Sequence, residues 1–171
     1  MKHIISALVE NKPGVLAHVS GMFAARAFNI DSLVVGRTED PQLSRMTIVV
    51  IGDDRMLEQV RKQLAKIIPV VKVQDFAGQA VVARDLMLIT FAAPAEKRPE
   101  ILALIETFKG NVVDIGQKTI MVEISGPEEK IEAFIEMCRP YGIKNVARTG
   151  TIAMPRQEKT AGGAPEVAGE D

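Results

Sequence analysis

The sequence predicts an α+β chain made of two tandem β-α-β-β-α-β units. Three observations carry that prediction. Apolar residues switch between strand-like runs and helical 3.6 spacing in a fixed order. The order recurs after roughly 75–80 residues, a period too long for a solenoid repeat. Hydrophobic residues make up 47% of the 171, enough for two modest cores rather than a disordered chain.

His3 to Val9 reads as a buried strand, punctuated by Pro13-Gly14. Val15, Leu16, Val19, Met22 and Phe23 follow at helical spacing, so 13–27 reads as an amphipathic helix with Pro13 near its start. Ile30 to Arg37 and Arg45 to Ile51 read as a hairpin turning at Asp40-Pro41. Asp53 reads as the N-cap of a second helix. Its stripe runs from Met56 through Leu57, Val60, Leu64 and Ile67 to Ile68, and Pro69 stops it. Val70 to Phe76 closes the unit, with Val71 and Val73 on one face. This is the ferredoxin-like split βαβ order.

The second unit repeats it. Asp85 to Ala92 is a strand. Ile101, Leu102, Leu104, Ile105 and Phe108 mark a helix ended by Gly110. Val112 to Gly116 and Thr119 to Ile124 form a hairpin. Gly126-Pro127 opens a helix carrying Ile131, Phe134, Ile135 and Cys138 on one face, and Lys144 to Ala147 is the last strand. The domains are thus 1–77 and 85–154, with a linker at 78–84. Residues 155–171 read as a disordered tail, because Val167 is its only large aliphatic.

Composition excludes several functions. A net charge of −1 and seven aromatics, none of them Trp, argue against nucleic-acid binding by charge or stacking. One cysteine allows no internal disulfide and, with two histidines, no zinc cluster. The first apolar run is broken by Ser6 and ends at Glu10, too short for a signal sequence, and no run approaches a membrane span. Cytoplasmic location is the expectation. No C-x-x-C loop, nucleophile elbow or Gly-rich phosphate loop is present. Cys138 and the methionines at 22, 56, 87 and 121 read as core.

One stretch offers chemistry: Glu10-Asn11-Lys12-Pro13-Gly14-Val15-Leu16. A helix start presents backbone N–H groups without internal partners, which suits a carboxylate. Gly14 allows close approach, and the Asn11 amide can donate to a carboxylate or accept from an ammonium. The same residues also suit an ordinary strand-to-helix turn. Asn29, in Phe28-Asn29-Ile30-Asp31-Ser32, reads either as a helix C-cap or as a second polar contact from a neighbouring subunit.

Asn11-Lys12-Pro13-Gly14-Val15-Leu16 after a strand resembles the opening of an ACT domain, the amino-acid-sensing version of this fold. With Arg26-Ala27-Phe28-Asn29-Ile30-Asp31-Ser32-Leu33, Leu43-Ser44-Arg45-Met46-Thr47-Ile48 and Leu57-Glu58-Gln59-Val60, it is similar to the small regulatory subunit of acetolactate synthase (acetohydroxyacid synthase). Arg84-Asp85-Leu86-Met87-Leu88 and Phe108-Lys109-Gly110-Asn111-Val112-Val113-Asp114-Ile115 continue the likeness, which covers about residues 2–153.

The resemblance implies a non-catalytic chain without cofactor or metal of its own. The large catalytic subunit would carry thiamine diphosphate, Mg²⁺ and FAD, and would join pyruvate to pyruvate or 2-oxobutyrate on the way to valine, leucine and isoleucine. The small subunit would activate it and confer feedback inhibition, usually by valine. The effector would lie between the ACT domains of a homodimer. The implied effector-binding residues are Asn11, Pro13, Gly14, Val15 and Leu16 of one chain, with Asn29 and Ile30 of the other. The counterpart loop of the second unit, Pro94 to Glu100, lacks the glycine, and no effector site is expected there. A free-standing amino-acid-binding regulator of another enzyme or of transcription is the alternative. A small acylphosphatase-type hydrolase is a third, disfavoured by the missing phosphate loop.

Overall fold

Residues 1–156 are described by a computed structural model. Strand β1 (Lys2–Glu10), helix α1 (Val15–Ala24), β2 (Ile30–Arg37), β3 (Leu43–Ile51), α2 (Asp54–Leu64) and β4 (Val70–Asp75) build the first unit. Its antiparallel sheet has the order β2-β3-β1-β4. Ile5, Ala7 and Val9 of β1 and Met46, Ile48 and Val50 of β3 point to one face and meet Val15, Val19 and Phe23 of α1 and Leu57, Val60 and Leu64 of α2. Burying each large side chain contributes about 1.5–3 kcal/mol.

The second unit comprises β5 (Val81–Ala92), α3 (Arg98–Thr107), β6 (Asn111–Ile115), β7 (Thr119–Gly126), α4 (Glu128–Cys138) and β8 (Ile143–Arg148), in the order β6-β7-β5-β8. Phe134 of α4 anchors its core, edge-on to Phe91 and Phe108 at ring separations of 6.5 and 5.2 Å. The predicted α+β pair of ferredoxin-like units is therefore the observed fold.

Five details depart from the pattern the sequence predicts. Helix α2 stops at Leu64, not beside Pro69. Lys66 and Ile67 donate to carbonyls three residues back, tightening the last turn, and the residue before a proline resists helical geometry. Ile67 still packs on the core, but Ile68 is 96% exposed. Val71 does not share a core face with Val73. The register jumps from Leu8↔Lys72 to Val9↔Val70, so a bulge at Val71 turns it outward and sends Val70 and Val73 inward. Leu102 faces out of α3. Residue Lys109, not Gly110, takes the left-handed position after that helix, with φ 53°.

The fifth lies at the join between the units. Residues 81–84 of the expected linker belong to β5, and an unpredicted strand, β9 (Ile152–Pro155), pairs with them. Ala153 of this ribbon shares a cleft with Val34, Arg45 and Thr47, on the helix-free face of the first sheet. Ser6, Thr47 and Val49 on that face are buried accordingly. The expected tail thus begins inside a strand at Pro155, and 157–171 lie outside the described residues.

Cys138 is fully buried, and burial pushes its thiol up to about 12. It should not react with a thiol reagent such as Ellman's reagent at pH 8 in the native protein. Reaction on unfolding in urea should be complete. Rapid native labelling would contradict this packing.

Candidate functional site

The turn from β1 to α1 is built by backbone bonds. Asn11 N–H donates to the Gln42 carbonyl at 2.7 Å, and the Asn11 side-chain Nδ2 donates to the Pro41 carbonyl at 3.0 Å. The second bond fixes the amide, and among the described residues nothing donates to Oδ1. Gly14 is the N-cap of α1 at φ 84°, a left-handed conformation that glycine adopts without strain. A Cβ there would meet nothing within 4 Å. Among the described residues, nothing accepts from the N–H groups of Gly14, Leu16 and Ala17, and no side chain caps the helix. They form an open, partly positive helix terminus.

Asn11, Pro13 and Gly14 are exposed around this terminus, and Leu16 is 45% exposed. The Val15 side chain is turned into the core, so only its backbone faces the turn.

Asn29 and Ile30 lie elsewhere. Ala27, at φ 54°, supplies the left-handed residue that ends α1, while Phe28 N–H donates back to Phe23. The capping role considered for Asn29 therefore falls to Ala27. Asn29 is left exposed just before β2, and Ile30 is half-buried against the core.

The sheet register separates the two groups. Glu10 pairs with Leu43, whereas Ile30 pairs with Val50. The span from Leu43 to Val50 is roughly 23 Å at about 3.3 Å per residue. Within one chain, Asn11 and Asn29 sit at opposite ends of the sheet. No small ligand can touch both.

The second unit's equivalent loop is built differently. A 3₁₀ turn, Ala95–Lys97, replaces the glycine entry. Arg98 reaches back, its Nε donating to Ala93 and its Nη2 to Gly116 and Gln117 carbonyls at 3.1, 2.5 and 2.7 Å.

Beside Asn29 lies a junction that the sequence did not reveal. The pairing of β2 with β3 slips between Ile30 and Ser32, which makes Asp31 the extra residue of a bulge. Its carboxylate lies 2.9 Å from Lys2 Nζ, and Lys2 also donates to both oxygens of Glu128, at 2.6 and 2.8 Å, in the first turn of α4. Desolvation opposes the charge on Lys2, but hydrogen bonds and attraction from Glu128 and Asp31 prevail and hold its pKa above the ordinary lysine value. Next along the chain, Ser32 Oγ accepts from Thr151 N–H at 3.1 Å. A cleft of about 420 Å³ separates the units here, and Asp85, held by Arg148 at 2.6 Å, forms its far wall. No spacing pattern could have joined Lys2 to Glu128, 126 residues away.

Comparisons with known proteins agree with this architecture. Residues 5–72 match the model of the AHAS small subunit-like ACT domain, and residues 84–157 that of the small subunit of acetolactate synthase. A probable acetolactate synthase small subunit of Archaeoglobus fulgidus is 53% identical over 93% of this chain and 99% of its own. The acetolactate synthase small subunit of Aquifex aeolicus is 46% identical over 91% and 82%. The crystal structure of the Thermotoga maritima small subunit superposes with a TM-score of 0.86 at 41% identity, covering 92% of this chain and 98% of that one.

The Ala27 geometry makes a direct prediction. Replacing it by glycine relieves a side chain held at positive φ and should raise stability by about 0.5–1 kcal/mol. The urea midpoint should rise with an unchanged slope, and a lower midpoint would contradict the assigned turn.

With both units matched and relatives aligned along nearly the whole length, this chain belongs to the acetolactate synthase small-subunit family.

Proposed function

We propose that the chain is the regulatory subunit of an acetolactate synthase. It activates the large catalytic subunit, which carries the thiamine diphosphate, Mg²⁺ and FAD. It also confers feedback inhibition by a branched-chain amino acid, valine foremost, bound between the ACT domains of two copies. The observation that carries this reading is the separation of Asn11–Gly14 from Asn29–Ile30 across the sheet.

Strand β2 is an edge with no strand partner on its outer side among the described residues. A two-fold copy that pairs β2 with β2 antiparallel brings the partner's Ile30 end beside Arg37, the end at which Asn11 lies. The exposed face of α1 carries Ala17, Gly21 and Ala24, small enough for a second helix to approach closely. Each copy then completes the other's site.

The chemistry suits a free amino acid. The open N–H groups at the α1 start receive the carboxylate. Asn11 Oδ1 accepts from the ammonium, and the partner contributes its Asn29 amide. Leu16 and Ile30 offer apolar contact to a branched side chain.

Acetolactate formation should rise when this chain is added to the catalytic subunit, and valine should reverse the rise. Asn11→Ala should keep activation but weaken valine inhibition by about 10-fold or more, the loss of one charge-assisted hydrogen bond. Gly14→Asp should abolish inhibition, since it sets a carboxylate against that of the ligand. Aspartate tolerates the left-handed backbone, so this variant should fold. Normal valine inhibition in both variants would overturn the site assignment.

A further inference from the structure

We infer that Lys2 is a positioning residue that couples the effector site to the second domain, through the Asp31 bulge on one side and Glu128 on the other. The inference rests on the effector site proposed above.

The geometry places the coupler where a signal would have to pass. Asn29 and Ile30 form one half of the site, and the next two residues make the cross-domain contacts. Asp31 holds Lys2 at 2.9 Å, and Lys2 holds Glu128 of α4 at 2.6 Å. Ser32 accepts from Thr151. Gly150, at φ 86°, packs so tightly on Ser32 that a Cβ there would collide with its Oγ. A bulge re-aims side chains and is a natural place for a strand to shift. Any ligand-linked displacement of Asn29 and Ile30 therefore moves Asp31 relative to a shared ammonium.

Lys2 has two carboxylate partners in different domains, and its side chain is 37% exposed. Half-exposed ion pairs add little to stability. Their value here is differential: a change in the Asp31 arm alters how firmly Lys2 holds α4, and linkage requires only such a difference between two states. The pairs stay within reach of solvent ions, so the coupling is sensitive to salt. Glu132 and Arg148 also face this cleft, and Arg148 is already engaged by Asp85 and Glu132. It does not compete for Glu128 in this arrangement.

The test uses the holoenzyme, assembled from the catalytic subunit and the full-length chain, with Glu128→Gln, Lys2→Met and Lys2→Arg. Valine binding to the small subunit alone is read by calorimetry, and valine inhibition is read in the holoenzyme. Glu128→Gln and Lys2→Met should bind valine within about twofold of wild type, yet need at least fivefold more valine for half inhibition or reach a lower maximum, the small end of measured allosteric couplings. Lys2→Arg should restore the response. Raising KCl should weaken inhibition in wild type but not in Lys2→Met.

Unchanged inhibition and salt response in Glu128→Gln and Lys2→Met would overturn the coupling. So would a fall in binding that matches the fall in inhibition, because Lys2 would then shape the site rather than transmit from it. A wild-type holoenzyme indifferent to valine, leucine and isoleucine would remove the effector reading itself, and the coupling with it.

Discussion

The register between β1 and β3 is the constraint on which the rest depends. Ile5 opposite Ile48 and Ala7 opposite Met46 put one face of both strands, Ile5, Ala7 and Val9 with Met46, Ile48 and Val50, under α1 and α2. A slip by one residue would send that set to the other face and bring Ser6 and Thr47 into the core, so the register is not negotiable. The same pairing decides where chemistry can occur. It puts the β1–α1 turn at one end of the sheet and the start of β2 at the other. The two halves of the proposed site are therefore separated by the core that stabilises the fold, and a small ligand could join them only through a second copy.

The two units use one fold for different ends. In the first, the β1–α1 turn leaves its helix terminus open and glycine keeps side chains away from it. In the second, Arg98 folds back to the Ala93 carbonyl and crosses to the Gly116 and Gln117 carbonyls between β6 and β7. The units also cover their helix-free faces differently. Ile152 to Met154 of the β5–β9 ribbon share a cleft with Val34, Arg45 and Thr47 of the first sheet, where Thr47 is buried. The second sheet leaves Leu86 and Leu88 about 40% exposed. The first domain is thus clasped by the second, with polar contacts gathered at the end where β2 begins.

Much of this was legible in the sequence, because periodicity reports which face is buried. Ile5, Val9, Val19, Phe23, Val60 and Phe134 declare their elements through spacing alone. Asp53 was readable as a cap because its carboxylate has one local task, accepting from Met56 N–H at 2.8 Å. What was not legible depended on distant partners. Ile152 to Pro155 is too short and mixed to announce a strand, and it becomes one because Val81 to Arg84 offers an edge. Val71 fits a strand pattern until a bulge displaces it. Asn29 looked like a cap because the left-handed position at Ala27, an alanine, goes against local preference. Of the site, the open turn at Asn11–Gly14 was visible in residue types. That Asn29 lies too far from this turn to share a ligand within one chain follows from register, and the Lys2 junction follows from tertiary packing alone.

An effector site shared between two copies is tested most directly by mixing mutants. Chains carrying Asn11→Ala should bind valine about 10-fold or more weakly, and so should chains carrying Asn29→Ala. When the two are unfolded together and refolded, a mixed dimer places both defects in one site and leaves the other site intact, because a two-fold interface exchanges the same surfaces. Calorimetry should then recover valine binding of wild-type affinity at one site per mixed dimer. Mixtures that bind no better than either parent would contradict the shared site and place both asparagines in some other role.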